Sequence, residues 1–149
     1  MIGYSLGGVE SFVLTGADPR IKVLTACVTP NFIRQRWPDQ HNLSAIAPTN
    51  FVRAIKGRLT LMLMSRNDED QYTVEEAQAL YDLIEGESEE LVFYDSGHRL
   101  PEEHVPKALE WFKKHLEYCV EFLGTANRIK PHKSDVSSAG EISSYLQLE

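Results

Sequence analysis

The chain has 149 residues, of which 42% are apolar and 25% charged, with a formal net charge of −7. That size and composition fit one ordinary globular domain. The negative balance excludes the global basic field that draws a protein onto nucleic acid or an anionic membrane surface.

Acidic residues crowd positions 68–103, where Arg99 is the sole counter-charge, and read as a solvated face. Cys27 and Cys119 stand far apart in no metal-type spacing, so neither a disulfide framework nor a metal site is expected. Cys27 lies in an apolar run and reads as a buried small hydrophobe. No secretory signal opens the sequence and no apolar run is long enough to span a bilayer. The expectation is a soluble, cytoplasmic protein with no cofactor, no nucleic acid and no membrane among its partners.

In chain order, Gly3-Tyr4-Ser5-Leu6-Gly7-Gly8 comes first, with no strand pattern before it. Val9, Phe12 and Val13 then recur at helical spacing, and Gly16 is a plausible stop. Ile21 to Val28 is a short β-branched run ended by Pro30, and reads as a buried strand. Residues 31–56, with Pro38 and Pro48, read as loop and short helical turns. Arg58 to Met64 is a second strand. Thr73 opens a helix with Glu76 completing a capping box, and Gly86 stops it. Glu90 to Tyr94 is a third strand. A last helix runs from about His104 to Leu123, with Leu109, Phe112, Leu116, Val120 and Leu123 as its apolar face, and Gly124 ends it. Residues 124–149 are polar and read as a disordered tail, which leaves 1–123 as the folded part. Strands alternating with helices predict an α/β fold, three parallel strands with flanking helices.

Gly3-x-Ser5-x-Gly7 has the spacing of a nucleophile elbow. A serine on a sharp strand-to-helix turn needs small flanking residues where backbone and helix approach. Its hydroxyl then stands above the sheet, and the next backbone N–H, that of Leu6, can face an oxyanion. Such a serine needs a base, and the base an orienting acid. Asp68 follows the second strand and His98 the third, both where open α/β sheets carry their chemistry. Glu69 and Asp70 are rivals of Asp68, which is preferred for its place directly after the strand. Of the other histidines, His104, His115 and His132 read as surface residues, and His41 has no strand behind it.

With these residues in place the sequence resembles the α/β-hydrolase superfamily. The match covers about residues 1–118: the elbow at 3–8, the strand entry Asp18 to Val23, the acid loop Leu61 to Asp68, the histidine loop Tyr94 to His98, and the final helix around Glu110 to Leu116. The interval from Ser5 to Asp68 leaves room for at most a small lid, which resembles the dienelactone-hydrolase and simple carboxylesterase groups. The resemblance implies a Ser5–His98–Asp68 triad acting on a small carboxylic ester or thioester. It also implies that the chain is the C-terminal half of the fold, with N-terminal strands missing, so that 149 residues alone are expected to be poorly soluble and inactive. A non-catalytic remnant of the same ancestry and a prolyl-oligopeptidase-type peptidase are the alternatives. Phe32, Trp37 and Phe51 are apolar candidates for one pocket wall, with core packing as the plainer role. Oligomeric state is open.

Overall fold

The protein is described by a computed structural model over residues 1–32, 43–86 and 88–126, with 117–126 as helix backbone. Its elements are β1 (Ile2–Tyr4), α1 (Leu6–Ala17), β2 (Val23–Cys27), two 3₁₀ turns (Ser44–Ile46 and Pro48–Asn50), β3 (Leu59–Ser65), α2 (Val74–Asp82), β4 (Glu89–Tyr94) and α3 (His104–Ala126). The four strands form one parallel sheet in the order β1-β2-β3-β4. The α/β class is as expected, with one strand more than the three predicted. Residues 2–4 pair with Thr25–Cys27, so the run 21–28 has a neighbour on each side and β1 forms the edge.

Strands added in one direction place right-handed crossovers on one face. Here α1 packs on β1 and β2 and against both 3₁₀ turns, and the Gly57 N–H donates to the Glu85 carbonyl beyond α2 (3.0 Å). That leaves α3 to cover the other face, against β2 and β3. Lying between two layers, β2 is buried throughout and β3 from Thr60 onward, which is why both read as mostly apolar runs. Phe12, Leu24, Ile55, Leu61 to Met64, Leu80 and Trp111 make the core.

Thr73 and Glu76 form the full capping box at α2: the Glu76 N–H donates to Thr73 Oγ1 (3.3 Å) and the Thr73 N–H to Glu76 Oε2 (2.8 Å). Two features of α3 differ from expectation. The helix runs through Gly124 to Ala126, since an interior glycine costs a helix only about 1 kcal/mol relative to alanine. Its packed face is Ala108, Trp111 and His115 with the half-buried Phe112, whereas Leu109 and Leu116 are exposed. The helix carries two apolar stripes, and the one holding the tryptophan meets the sheet.

His115 is therefore buried rather than a surface residue, with its ring against that of Trp111 (centroids 4.2 Å apart). Among the described residues its Nε2 has no hydrogen-bond partner. Burial, with a smaller push from the Lys114 charge, holds its pKa below the ordinary histidine value. Below about pH 6.5 an unfolded histidine takes up a proton that the folded one resists. The stability His115 contributes is present above that pH and is lost as pH falls through the depressed folded value. Between pH 7.5 and 5.5 the urea midpoint of the wild type should thus fall further than that of His115→Leu. Parallel slopes for the two would show that His115 protonates freely in the fold.

Candidate active site

Ser5 sits where β1 becomes α1 within a single residue. Its N–H still donates to the Cys27 carbonyl, extending the ladder (2.9 Å), while its own carbonyl accepts from the N–H groups of Gly8 and Val9 (2.9 and 3.3 Å), beginning the helix. Meeting both demands drives Ser5 to φ 55°, ψ −120°. That conformation strains a residue with a Cβ, by about 1–3 kcal/mol. Leu6, as the first residue of α1, has no carbonyl one turn back to accept its N–H, and among the described residues this donor, at the positive end of the helix dipole, meets no backbone acceptor outside the helix.

The glycines of the motif serve different ends. A Cβ on Gly3 would lie 1.9 Å from the Gly7 carbonyl oxygen, and one on Gly8 1.9 Å from Thr29 Oγ1. A Cβ on Gly7 would meet nothing within 4 Å, so close approach explains Gly3 and not Gly7.

Asp68 lies just past the carboxyl end of β3. Its carbonyl accepts from the N–H groups of Gln71 and Tyr72 (2.9 and 3.1 Å), closing a turn. Tyr72 reaches back under that turn, and its hydroxyl accepts the Ser65 N–H (2.8 Å). Burial raises the Tyr72 phenol well above the ordinary tyrosine range. The His98 loop follows β4 and is sewn to the Asp68 loop: Arg66 N–H donates to the Tyr94 carbonyl (2.9 Å), Asn67 N–H to that of Ser96 (3.0 Å), and Asn67 Nδ2 to Asp95 Oδ1 (3.0 Å). Ser65 Oγ donates to the Ser96 carbonyl as well.

These tethers set His98 Nδ1 2.7 Å from Asp68 Oδ2. The Asp68 side chain is 5% exposed and the imidazole 44%, whereas Glu69 and Asp70 face solvent. A carboxylate only accepts, so a proton on Nδ1 leaves the Nε2 lone pair free toward solvent. Ser5 lies at the same rim, and the ring of Tyr4 beside it is 6.1 Å from that of His98. Among the described residues no hydrogen bond joins Ser5 Oγ to His98. Unliganded sites often hold such pairs apart until substrate is bound.

Phe32 is buried against Val9, and Phe51 is half-buried beside Gly16. Trp37, His41 and His132 lie outside the described residues. Among the described residues no three His, Cys, Asp or Glu side chains gather as metal ligands, and no helix is long and apolar enough to cross a membrane. Cys27 is free and buried, its thiol pushed up to about 11 by burial.

Sequence reasoning passed over Tyr4 and Tyr72. Tyr72 gives no sequence signal inside a polar loop. Tyr4 occupies the variable position of the elbow, and strand alternation puts it on the face opposite Gly3.

No family model matches the chain, and no curated protein does. Solved structures do. The esterase Pf2001 of Pyrococcus furiosus superposes with a TM-score of 0.65 at 20% identity, over 76% of this chain and 52% of that one. An esterase domain of a Rhodothermus marinus protein gives 0.55 at 21%, over 69% and 52%. Acetyl xylan esterase 1 of Thermoanaerobacterium sp. JW/SL YS485 gives 0.61 at 19%, over 74% and 43%. The chain thus has the α/β-hydrolase fold of these esterases and spans about half their length.

Proposed function

We propose that this chain carries the catalytic triad of a serine hydrolase acting on a small carboxylic ester or thioester. The buried Asp68 carboxylate 2.7 Å from His98 Nδ1, at the rim where the strained Ser5 emerges, carries this reading. The esterases of like fold support it. His98 Nε2 takes the Ser5 proton as Oγ attacks the ester carbonyl, and Asp68 stabilises the imidazolium that results. The Leu6 N–H faces the oxyanion. Collapse of the tetrahedral intermediate returns the proton to the departing alcohol, and water repeats the sequence to release the acid.

The test is a fluorophosphonate probe, which reports the first half of this sequence. The expected result is stoichiometric labelling at Ser5, lost in Ser5→Ala with an unchanged circular dichroism spectrum. Equal labelling of the two would overturn the reading. Turnover asks more than labelling. Labelling is read at completion and registers even a slow serine, whereas turnover is read as a rate, and the loss of one oxyanion donor costs about 10²–10³ in rate. With p-nitrophenyl acetate, the 149 residues alone are expected to match Ser5→Ala. A second reading, a non-catalytic domain of the same ancestry, draws on the chain's spanning half of the structures it matches. It requires that Ser5 not be labelled.

A further inference from the structure

The two halves of the His98 loop are held by different partners. Up to Ser96 the tethers come from the Asp68 loop. Past Gly97 they come from Tyr4: its hydroxyl donates to the His98 carbonyl (2.7 Å) and accepts the Leu100 N–H (2.8 Å). The same ring stands edge-on to the imidazole, at 84° and 6.1 Å between centroids, and 6.1 Å from that of His104, whose Nδ1 is 2.6 Å from the Pro101 carbonyl. Tyr4 therefore bridges 94 residues of sequence, and it is bonded through the backbone to Ser5.

We propose that Tyr4 is a positioning residue that sets the spacing between the His98 imidazole and the Ser5 hydroxyl. The inference rests on the triad reading above. Asp68 fixes which way the imidazole points by gripping Nδ1, but a grip at one atom leaves the ring free to swing about it. The second constraint has to come from the loop backbone at His98, and Tyr4 supplies it from the residue next to the nucleophile. An error of about 1 Å between reacting groups can cost about 10²-fold in rate, so one phenol hydroxyl has leverage here. Its hydrogen bonds are partly open to water, which limits the effect to that of a net hydrogen bond or two.

Tyr4→Phe removes the hydroxyl and keeps the ring. The maximal fluorophosphonate labelling rate is expected to fall about tenfold, with the half-saturating probe concentration unchanged and the circular dichroism unaltered. The downfield proton signal of the His98–Asp68 hydrogen bond should broaden through faster exchange with water. A wild-type labelling rate in Tyr4→Phe, or a signal as sharp as in the wild type, would overturn the proposal. Absence of Ser5 labelling in the wild type would sink the triad reading instead, and the proton signal would still decide for or against Tyr4.

Discussion

Asp68→Asn is expected to slow fluorophosphonate labelling of Ser5 by about 10³- to 10⁴-fold while leaving the fold intact. The reason is the tautomer. With a carboxylate at 2.7 Å, Nδ1 of His98 must be the donor, and Nε2 keeps the lone pair that removes the serine proton. An asparagine amide fills the same volume but can turn its NH₂ toward Nδ1, which then accepts. The proton moves to Nε2, and the base is lost although the ring has not moved. Asp68→Ala removes the orienting group without imposing the wrong tautomer, and should cost somewhat less. The contrast with neighbouring acids makes the test specific. Asp70 is two residues away and exposed, so Asp70→Asn should label at the wild-type rate. Comparable losses in Asp68→Asn and Asp70→Asn would mean that general negative charge at this rim, rather than a paired carboxylate, governs the serine. An unaffected Asp68→Asn would separate the buried pair from the chemistry altogether.

Where the sequence was legible, the physics was local or forced. The runs 21–28 and 58–64 read as strands because burial on both sheet faces leaves no room for polar alternation. The capping box at Thr73 was legible because both of its hydrogen bonds lie within four residues. The 30-residue span from Asp68 to His98 closes because each follows one of two adjacent parallel strands, β3 and β4, so their loops emerge side by side. The unreadable parts depend on neighbours that the sequence does not name. A three-residue strand such as β1 has no periodicity of its own, and its identity comes from the Cys27 carbonyl and its neighbours. Periodicity points to the stripe of Leu109 and Leu116 as the packed face of α3; the sheet takes Trp111 instead and leaves Leu109 in solvent. Glu69 and Asp70 have the same chemistry as Asp68; only its place after the strand favours Asp68 in the sequence, and burial is what separates the three. Tyr4 is the sharpest case: its hydroxyl partners lie 94 and 96 residues away.

The glycines of the elbow give the largest expected effect on stability. Gly3→Ala should abolish cooperative folding or destabilise by more than about 4 kcal/mol. The added methyl would lie 1.9 Å from the Gly7 carbonyl oxygen, 2.3 Å from its carbon and 2.3 Å from Ser11 Oγ. Ser11 can rotate away, giving up its bond to the Gly7 carbonyl (2.7 Å), but the Gly7 carbonyl belongs to the first turn of α1. Relief requires the whole helix to back off the sheet by more than an ångström, which opens the contact between Phe12 and the strands beneath it. Ser11→Ala should therefore fail to rescue Gly3→Ala. Gly7→Ala is expected to do the opposite. Its methyl enters open space, and alanine is a better helix residue than glycine by about 0.5–1 kcal/mol, so its urea midpoint should match or exceed that of the wild type. Activity in that variant reports what the open space is for. If Gly7→Ala is stable but labels slowly, the vacancy beside the Leu6 N–H is where the probe's phosphoryl group must fit. If Gly3→Ala instead proves as stable as Gly7→Ala, the close seating of α1 on β1 described above is wrong, and with it the origin of the strain at Ser5.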